Sequence, residues 1–145
     1  MTETSCRMSR EQVDAFLAAP RHAIIAAGPA GGTSQLSPVW YVFEESRLYF
    51  STLVRSAKCR HLRQDPRIAI CVDGAHPDAR LVNVYGTAEI VEEESPWRTE
   101  LEWRITRRYH DSDEAARRFQ AGLAEDGASA LVVVSPERIT GWDYN

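Results

Sequence analysis

Short hydroxyl side chains and cations stand close together near the middle of the chain, in residues 51–63, STLVRSAKCRHLR. Hydroxyls and cationic side chains form charge-assisted hydrogen bonds with anions such as phosphate. An apolar, strand-like stretch precedes this segment, and the segment itself opens a helix-like stretch. Because unpaired backbone N–H groups at a helix start also attract anions, we predict an anion-binding site in residues 51–63.

Lys58 is the only lysine in a chain whose lysine and arginine residues total 17. The count by itself assigns Lys58 no role, because a compositional bias towards arginine would produce it. Its neighbours carry more information. An ammonium group is a compact point charge on a flexible stem, and this one stands beside hydroxyls at a predicted helix start. We therefore interpret Lys58 as an anion ligand rather than as a leftover surface residue.

The size and charge of the chain restrict its class. A length of 145 residues fits one domain, residues 1–145, with a core large enough to need no metal or disulfide. The formal net charge of −4 argues against nucleic acid and anionic membrane as partners, because both favour a basic surface. Anion recognition is therefore expected to be local.

The cysteines and the N-terminus indicate a cytoplasmic protein. Cys6, Cys59 and Cys71 form no CxxC pair, which suits a reducing compartment. The first residues carry acid and lack the apolar core of a signal peptide, and no apolar run is long enough to span a membrane. We therefore expect structural thiols and a cytoplasmic location.

No arrangement of side chains identifies a catalytic residue. The histidines show no ligand spacing with cysteines or carboxylates, so no metal site is predicted. Neither a Ser-His-Asp nor a Cys-His arrangement is apparent. This pattern is consistent with chemistry carried by an organic cofactor, for which the protein supplies binding and orientation.

Turn residues and apolar patterns predict a mainly β chain with helices at the start, after the third strand and before the last strand. Ser9 and Gln12 form a capping box, and Pro20 ends the first helix. The predicted strands are residues 22–27, 33–43, 47–52, 67–72, 80–92 and 130–142, the last interrupted at Ser135-Pro136. The predicted helices are residues 9–19, 56–64, 95–109 and 113–123.

Strands joined mostly by hairpin-length turns indicate a closed or nearly closed antiparallel β-barrel with flanking helices. A doubly wound βαβ sheet is the alternative. It would need a helix after most strands, yet only one helix-length segment follows a strand in the first ninety residues. The barrel is therefore the predicted fold class.

The ordered set of motifs resembles the pyridoxamine 5'-phosphate oxidase-like split-barrel family, whose members bind FMN or the deazaflavin coenzyme F420. The motifs are SPVWY at 37–41, LYFST at 48–52, SAKCRHL at 56–62, DPR at 65–67 and YGTA at 85–88. They span nearly the whole chain. The resemblance implies a six-stranded antiparallel split barrel and a homodimer that holds the cofactor in clefts between its two protomers.

The same resemblance implies the residues of the cofactor site. Those for the phosphate are Ser51, Thr52, Arg55, Ser56, Ala57 and Lys58. Those beside the tricyclic ring are Gln35, Pro38, Val39 and Trp40, acting more through backbone than side chain. A proline inside a strand belongs on an edge or bulge, where a ligand can approach. Barrel packing is the alternative role for Trp40.

Arg60, His61, Arg63 and Arg67 extend the positive charge of this region. A solvated helix face is one explanation. The other is an anionic cofactor tail, which F420 has and FMN lacks, so surplus charge favours F420 modestly. Trp97, Trp103 and Tyr109 either wall a substrate pocket or pack their helices.

The expected function is an oxidoreductase that uses F420, or else FMN, to transfer hydride to an unsaturated or electron-poor small organic substrate. One alternative is an FMN-dependent oxidase of an amine such as pyridoxamine phosphate, although residues 138–145 offer only one arginine for a substrate phosphate. Another is a non-catalytic carrier of flavin, deazaflavin or haem. A nucleic-acid module, suggested only by the arginines of residues 55–67, is the third.

Overall fold

A computed structural model describes residues 6–29 and 31–145, and these residues form four helices and seven strands. The helices are α1 (Arg10–Ala18), α2 (Ala57–Gln64), α3 (Pro96–Arg108) and α4 (Asp113–Asp126). The strands are β1 (Ala23–Ala27), β2 (Gln35–Val39), β3 (Val42–Glu44), β4 (Arg47–Leu53), β5 (Arg67–Asp73), β6 (Arg80–Val91) and β7 (Ser129–Asp143). The first residues, on which the expected cytoplasmic location partly depends, lie outside the described range.

Serine side chains fix the helix starts. The predicted capping box of α1 is confirmed: the Ser9 hydroxyl accepts from the Gln12 N–H at 3.2 Å, and the Gln12 side chain accepts from the Ser9 N–H at 2.7 Å. Ser56, Ser95 and Ser112 cap the other three helices in the same way, each accepting from the N–H three residues on. These local signals place the helices where the sequence predicts them.

All strand pairs are antiparallel, in the sheet order β2-β1-β5-β6-β7-β4-β3. The predicted fold class is confirmed: the sheet curls into a split barrel with flanking helices. Seven strands replace the predicted six, because Trp40 and Tyr41 interrupt the predicted strand 33–43. Its two halves, β2 and β3, pair at opposite edges of the sheet.

The predicted interruption at Ser135-Pro136 is wrong, since β7 runs through it without a break. A register shift lies there instead: Tyr85 faces Arg138 while Gly86 faces Pro136, so Glu137 is the extra residue of a β-bulge. The bulge lets the strand continue past Pro136, which has no N–H to donate.

The sheet has an inner face and an outer face, and different helices pack against them. The inner face holds the main core, which includes Phe16, Leu17 and Leu62 from α1 and α2. A second cluster on the outer face packs β4 and β7 against α3. Side chains on the outer face of β2, β1, β5 and the first half of β6 are exposed or partly buried, and among the described residues no helix packs extensively on this face.

Tyr41 holds the two halves of the interrupted strand in place. It is fully buried, and its hydroxyl donates to the Leu17 carbonyl at 3.0 Å. Burial raises its pKa well above the ordinary value, so the hydroxyl stays protonated. The Tyr109 hydroxyl accepts from the Tyr41 N–H at 3.3 Å and donates to the Arg21 carbonyl at 2.6 Å. The barrel is thus closed by hydrogen bonds from α1 and from the end of α3.

We predict that Gly86→Ala strongly destabilises the protein. A Cβ at residue 86 would lie 2.2 Å from the Ser135 carbonyl oxygen, a backbone atom that moves only with the bulge. The expected loss is about 3 kcal/mol in the free energy of unfolding, measured by urea denaturation.

The matched control is Gly122→Ala in α4, where a Cβ meets nothing within 4 Å. Because alanine favours helix over glycine, this variant is expected to gain about 0.5–1 kcal/mol. Equal unfolding free energies for the two variants would refute the close approach at Gly86.

Candidate functional site

The start of α2 presents unpaired backbone donors. Ser56 caps the helix by accepting from the Cys59 N–H at 3.2 Å. The N–H groups of Ala57 and Lys58, in the first turn, have no acceptor within the described chain. These two donors, at the positive end of the helix dipole, can bind an anion.

Two hydroxyls lie beside these donors. Thr52, near the end of β4 and almost fully buried, has its Oγ1 3.0 Å from the Ser56 Oγ. One hydrogen bond uses one of the two hydroxyl hydrogens, and no other acceptor in the described chain takes the second. The pair therefore offers a further donor to a ligand.

Three cations in residues 51–63 have no carboxylate partner among the described residues: Arg55, Lys58 and Arg60, of which Arg60 donates instead to a backbone carbonyl. Arg55 is exposed, whereas Lys58 is half-buried. Burial lowers the pKa of Lys58, and the neighbouring Cys59 opposes this by a smaller effect. An anion beside Lys58 would replace the lost hydration of its ammonium group.

The other four predicted residues lie elsewhere. Gln35, Pro38 and Val39 are on β2, the edge strand at one end of the sheet order, and β4 is next to the other end. Pro38 is exposed and pairs with Ile24, as expected for a proline on an edge strand. The predicted phosphate residues thus lie at the end of β4 and the start of α2, while the predicted ring residues lie on β2 and directly after it.

Trp40 packs against helices. Its ring stacks on Tyr109 at 4.9 Å and lies 4.8 Å from Phe119 of α4 and 5.4 Å from His110. The Trp40 side chain therefore has a packing role, against helices rather than inside the barrel, and the Trp40 backbone remains the part predicted to contact a ligand.

The additional arginines are mostly paired. Arg63 forms an ion pair with Glu92 at 2.7 Å, and Arg67 forms one with Asp65 at 2.7 Å. Arg60 donates to the Arg55 carbonyl at 2.9 Å and has no carboxylate partner in the described chain. The charge left for an anionic tail is therefore smaller than the sequence suggests.

A cavity of about 500 Å³ lies between the end of β4, the start of β7, and helices α3 and α4. Ser51 and Thr52 form part of its wall, so it adjoins the predicted phosphate residues. Trp103 also lines it, whereas Tyr109 packs on Trp40 and Trp97 packs edge-on against Tyr49. Of the three aromatic residues considered for a pocket wall, Trp103 has that position.

Arg98 anchors α3, one of the helices that line this cavity, and the sequence did not reveal this role. The side chain is almost fully buried and bonds Glu102 at 2.6 Å, the Glu92 carbonyl at 2.6 Å and the Ser129 carbonyl at 2.7 Å. It ties α3 to the end of β6 and the start of β7. The only sequence signal is the helical i, i+4 spacing of Arg98 and Glu102.

The described residues contain neither a metal-binding cluster nor a membrane-spanning helix. No group of three or more histidine, cysteine or acidic side chains there could hold a metal ion. Within the same residues, no helix is long and apolar enough to cross a membrane.

Residues 9–143 match the family described as pyridoxamine 5'-phosphate oxidase. The chain belongs to the pyridoxamine 5'-phosphate oxidase family. The resemblance inferred from the motifs is therefore confirmed over almost the whole chain. No curated protein matches it by sequence.

Solved structures share the split barrel of the pyridoxamine 5'-phosphate oxidase family. A conserved hypothetical protein from Mycobacterium tuberculosis is 25% identical, with 99% of this chain and 90% of that chain covered and a TM-score of 0.76. An FAD-binding protein from Mesorhizobium loti is 16% identical, with 96% and 97% covered and a TM-score of 0.72. A protein titled F420 reductase is 19% identical, with 96% and 98% covered and a TM-score of 0.65. The last two likenesses establish the fold alone.

We predict that this family member loses affinity for a phosphate ligand at alkaline pH. Only the ammonium form of Lys58 attracts an anion, so affinity is full below its lowered pKa and falls as pH rises through it. Calorimetric titration with FMN from about pH 7 to about pH 10 measures the effect. Lys58→Arg, which stays charged throughout, should retain its affinity. The same pH dependence in both proteins would contradict the role of Lys58.

Proposed function

We propose that this chain is a homodimeric oxidoreductase that binds F420, or else FMN, through its phosphate at the start of α2. The observation that carries the proposal is the set of unsatisfied donors there. Two backbone N–H groups, a spare hydroxyl hydrogen and two cations without carboxylate partners belong to residues 52–58, where β4 ends and α2 begins. A phosphate group supplies the acceptors and the negative charge that this set lacks.

Each residue has a distinct part in this assignment. Ala57 and Lys58 donate backbone hydrogen bonds, and the hydroxyls of Thr52 and Ser56 donate or relay one more. The side chains of Lys58 and Arg55 neutralise the phosphate charge. When bound, the cofactor supplies hydride transfer, while this chain orients it and excludes water.

The ring of the cofactor is assigned to β2. An edge strand leaves backbone groups without a strand partner on one side, and Pro38 limits pairing further. Gln35, Pro38, Val39 and the Trp40 backbone would contact its polar edge. In the homodimer that the family resemblance implies, a second protomer would complete each cleft.

The bare outer face of the sheet supports a dimer. Rows of side chains related by strand register cross it: Leu36, Ala26, Ala69 and Tyr85 in one row, and Pro38, Ile24, Cys71 and Asn83 in the next. These side chains are mainly apolar, and Leu36 is 66% exposed. A second copy of the face would cover them with two-fold symmetry. The β2 residues assigned to the ring lie at the rim of this face.

We predict that Ala69→Glu produces a monomer. Residue 69 lies on a central strand of the bare face, where a carboxylate is solvated in the monomer but would be buried in the dimer. Light scattering should give twice the 16.3 kDa chain mass for the natural protein and one chain mass for the variant. Ala121→Glu, on the exposed side of α4, should leave the dimer intact. A monomeric natural protein would exclude the proposed interface.

The hydride-transfer reaction is favoured over the two related functions. For a pyridoxamine-phosphate oxidase, residues 138–145 offer Arg138 alone, and its guanidinium stacks 4.5 Å from the Tyr85 ring. A non-catalytic carrier would bind the same cofactor without turnover. Reduced F420 mixed with electron-poor alkenes distinguishes the carrier from the enzyme, because only the enzyme would reoxidise the cofactor. No turnover with any such substrate would leave the carrier as the function.

Lys58→Ala is expected to weaken cofactor binding by about 1.5–3 kcal/mol, the scale of a charged hydrogen bond. Parallel calorimetric titrations with FMN and F420 measure this loss and select the cofactor. Gln64→Ala, at the exposed far end of α2, is the matched control and should bind as the natural protein does. Unchanged affinity in Lys58→Ala would remove the phosphate site from the start of α2.

A further inference from the structure

The cavity beneath α3 and α4 has the size of a small-molecule site. Its volume of about 500 Å³ falls within the range of roughly 300–1,000 Å³ found for ligand pockets. It shares one wall, Ser51 and Thr52, with the predicted phosphate residues but extends away from α2 towards α4. The other walls come from residues that nothing above assigns to a cofactor.

The charge available in this cavity is positive. Arg117 of α4 lines it, and no carboxylate among the described residues lies within ion-pair distance of its guanidinium. Arg55, which is also assigned to the cofactor phosphate, lies near this cavity: its Nε is 3.8 Å from the position of a Cβ at Gly127, a lining residue. Glu102 is already bound to Arg98 at 2.6 Å. A ligand carboxylate would therefore meet cations without a competing free acid.

The remaining lining suits a flat apolar body. Trp103 presents a half-buried indole, and the Arg117 guanidinium lies 5.5 Å from its ring centroid. Leu53, Leu123 and Ala124 add aliphatic surface. Because the guanidinium already lies over the indole, a planar ligand would pack beside the indole against the aliphatic side chains while its acid group bonds the guanidinium.

Polar groups in the wall can fix the orientation of such a ligand. The Ser51 hydroxyl makes no hydrogen bond within the described chain, and Gln120 reaches the Thr106 hydroxyl only at 3.4 Å. These groups are free, or nearly free, to bond a ligand oxygen. Few polar groups around an apolar wall are typical of a small-molecule site.

We infer that this cavity binds an aromatic carboxylate, in a pocket that adjoins the phosphate site at the start of α2 and shares Ser51 and Thr52 with it. The binding does not depend on a cofactor. In the proposed oxidoreductase this aromatic acid would be the class of substrate, and that assignment alone rests on the proposed function.

The test is calorimetric titration of the cofactor-free chain with 2-naphthoate. We expect one saturable site per chain and a loss of about tenfold or more in affinity for Arg117→Gln. Arg118→Gln is the matched control: its side chain is exposed, bonds Glu114 at 3.5 Å and does not line the cavity. It should bind within about twofold of the natural protein. Melting temperatures confirm that both variants fold.

Three results would overturn the pocket. They are the absence of saturable binding, equal affinity in Arg117→Gln and the natural protein, and equal affinity for the uncharged 2-naphthylmethanol. Lys58→Gln should leave naphthoate affinity unchanged, and a loss there equal to that in Arg117→Gln would place the anion at α2 instead. Naphthoate binding without FMN or F420 binding would uphold the pocket and reject the proposed cofactor.

Discussion

Barrel closure depends on the two residues that carry the chain from one edge of the sheet to the other. Val39 ends β2 on one edge, and Val42 begins β3 on the opposite edge. Three backbone steps span roughly 10 Å at most, so the two edges must lie within that distance. The sheet therefore has to curl. The Tyr41 hydroxyl bond to α1 and the Tyr109 bond to the Tyr41 N–H hold the joint. The edge position of β2, and with it the assigned ring site, follows from this closure.

Local signals were enough to predict most elements, whereas the closure itself was not predictable from them. Ser9, Ser56 and Ser95 mark helix starts through bonds to residues three positions on, so the sequence shows them directly. The pattern of apolar residues runs through Trp40 and Tyr41 without a turn residue. Which edge each half joins is decided by distant contacts. The predicted interruption at Ser135-Pro136 was wrong for the same reason, because only the pairing of Pro136 with Gly86 shows that the strand continues.

The candidate site shows the same contrast between local signals and contacts of distant segments. The phosphate residues are neighbours in sequence, so a strand end followed by a helix start was enough to predict their proximity. The cavity walls come from β4, β7, α3 and α4, and no spacing in the sequence relates Ser51 to Arg117. The pairing of Arg63 with Glu92 also joins distant segments, and it reduced the charge expected around α2. Interactions between distant segments of the chain thus account for what the sequence did not show.

Trp40 lies in the connection between β2 and β3 and packs against α4, one of the helices that line the cavity. Its ring contacts Phe119 of α4, and the next residue, Gln120, lines the cavity. Any ligand that holds α4 in position also holds the Trp40 ring and the joint beside it. Linkage is reciprocal. A change that loosens the joint therefore weakens ligand binding by the same free energy with which the ligand stabilises the joint. Ligand binding in the cavity and the stability of the closed barrel are thus thermodynamically coupled.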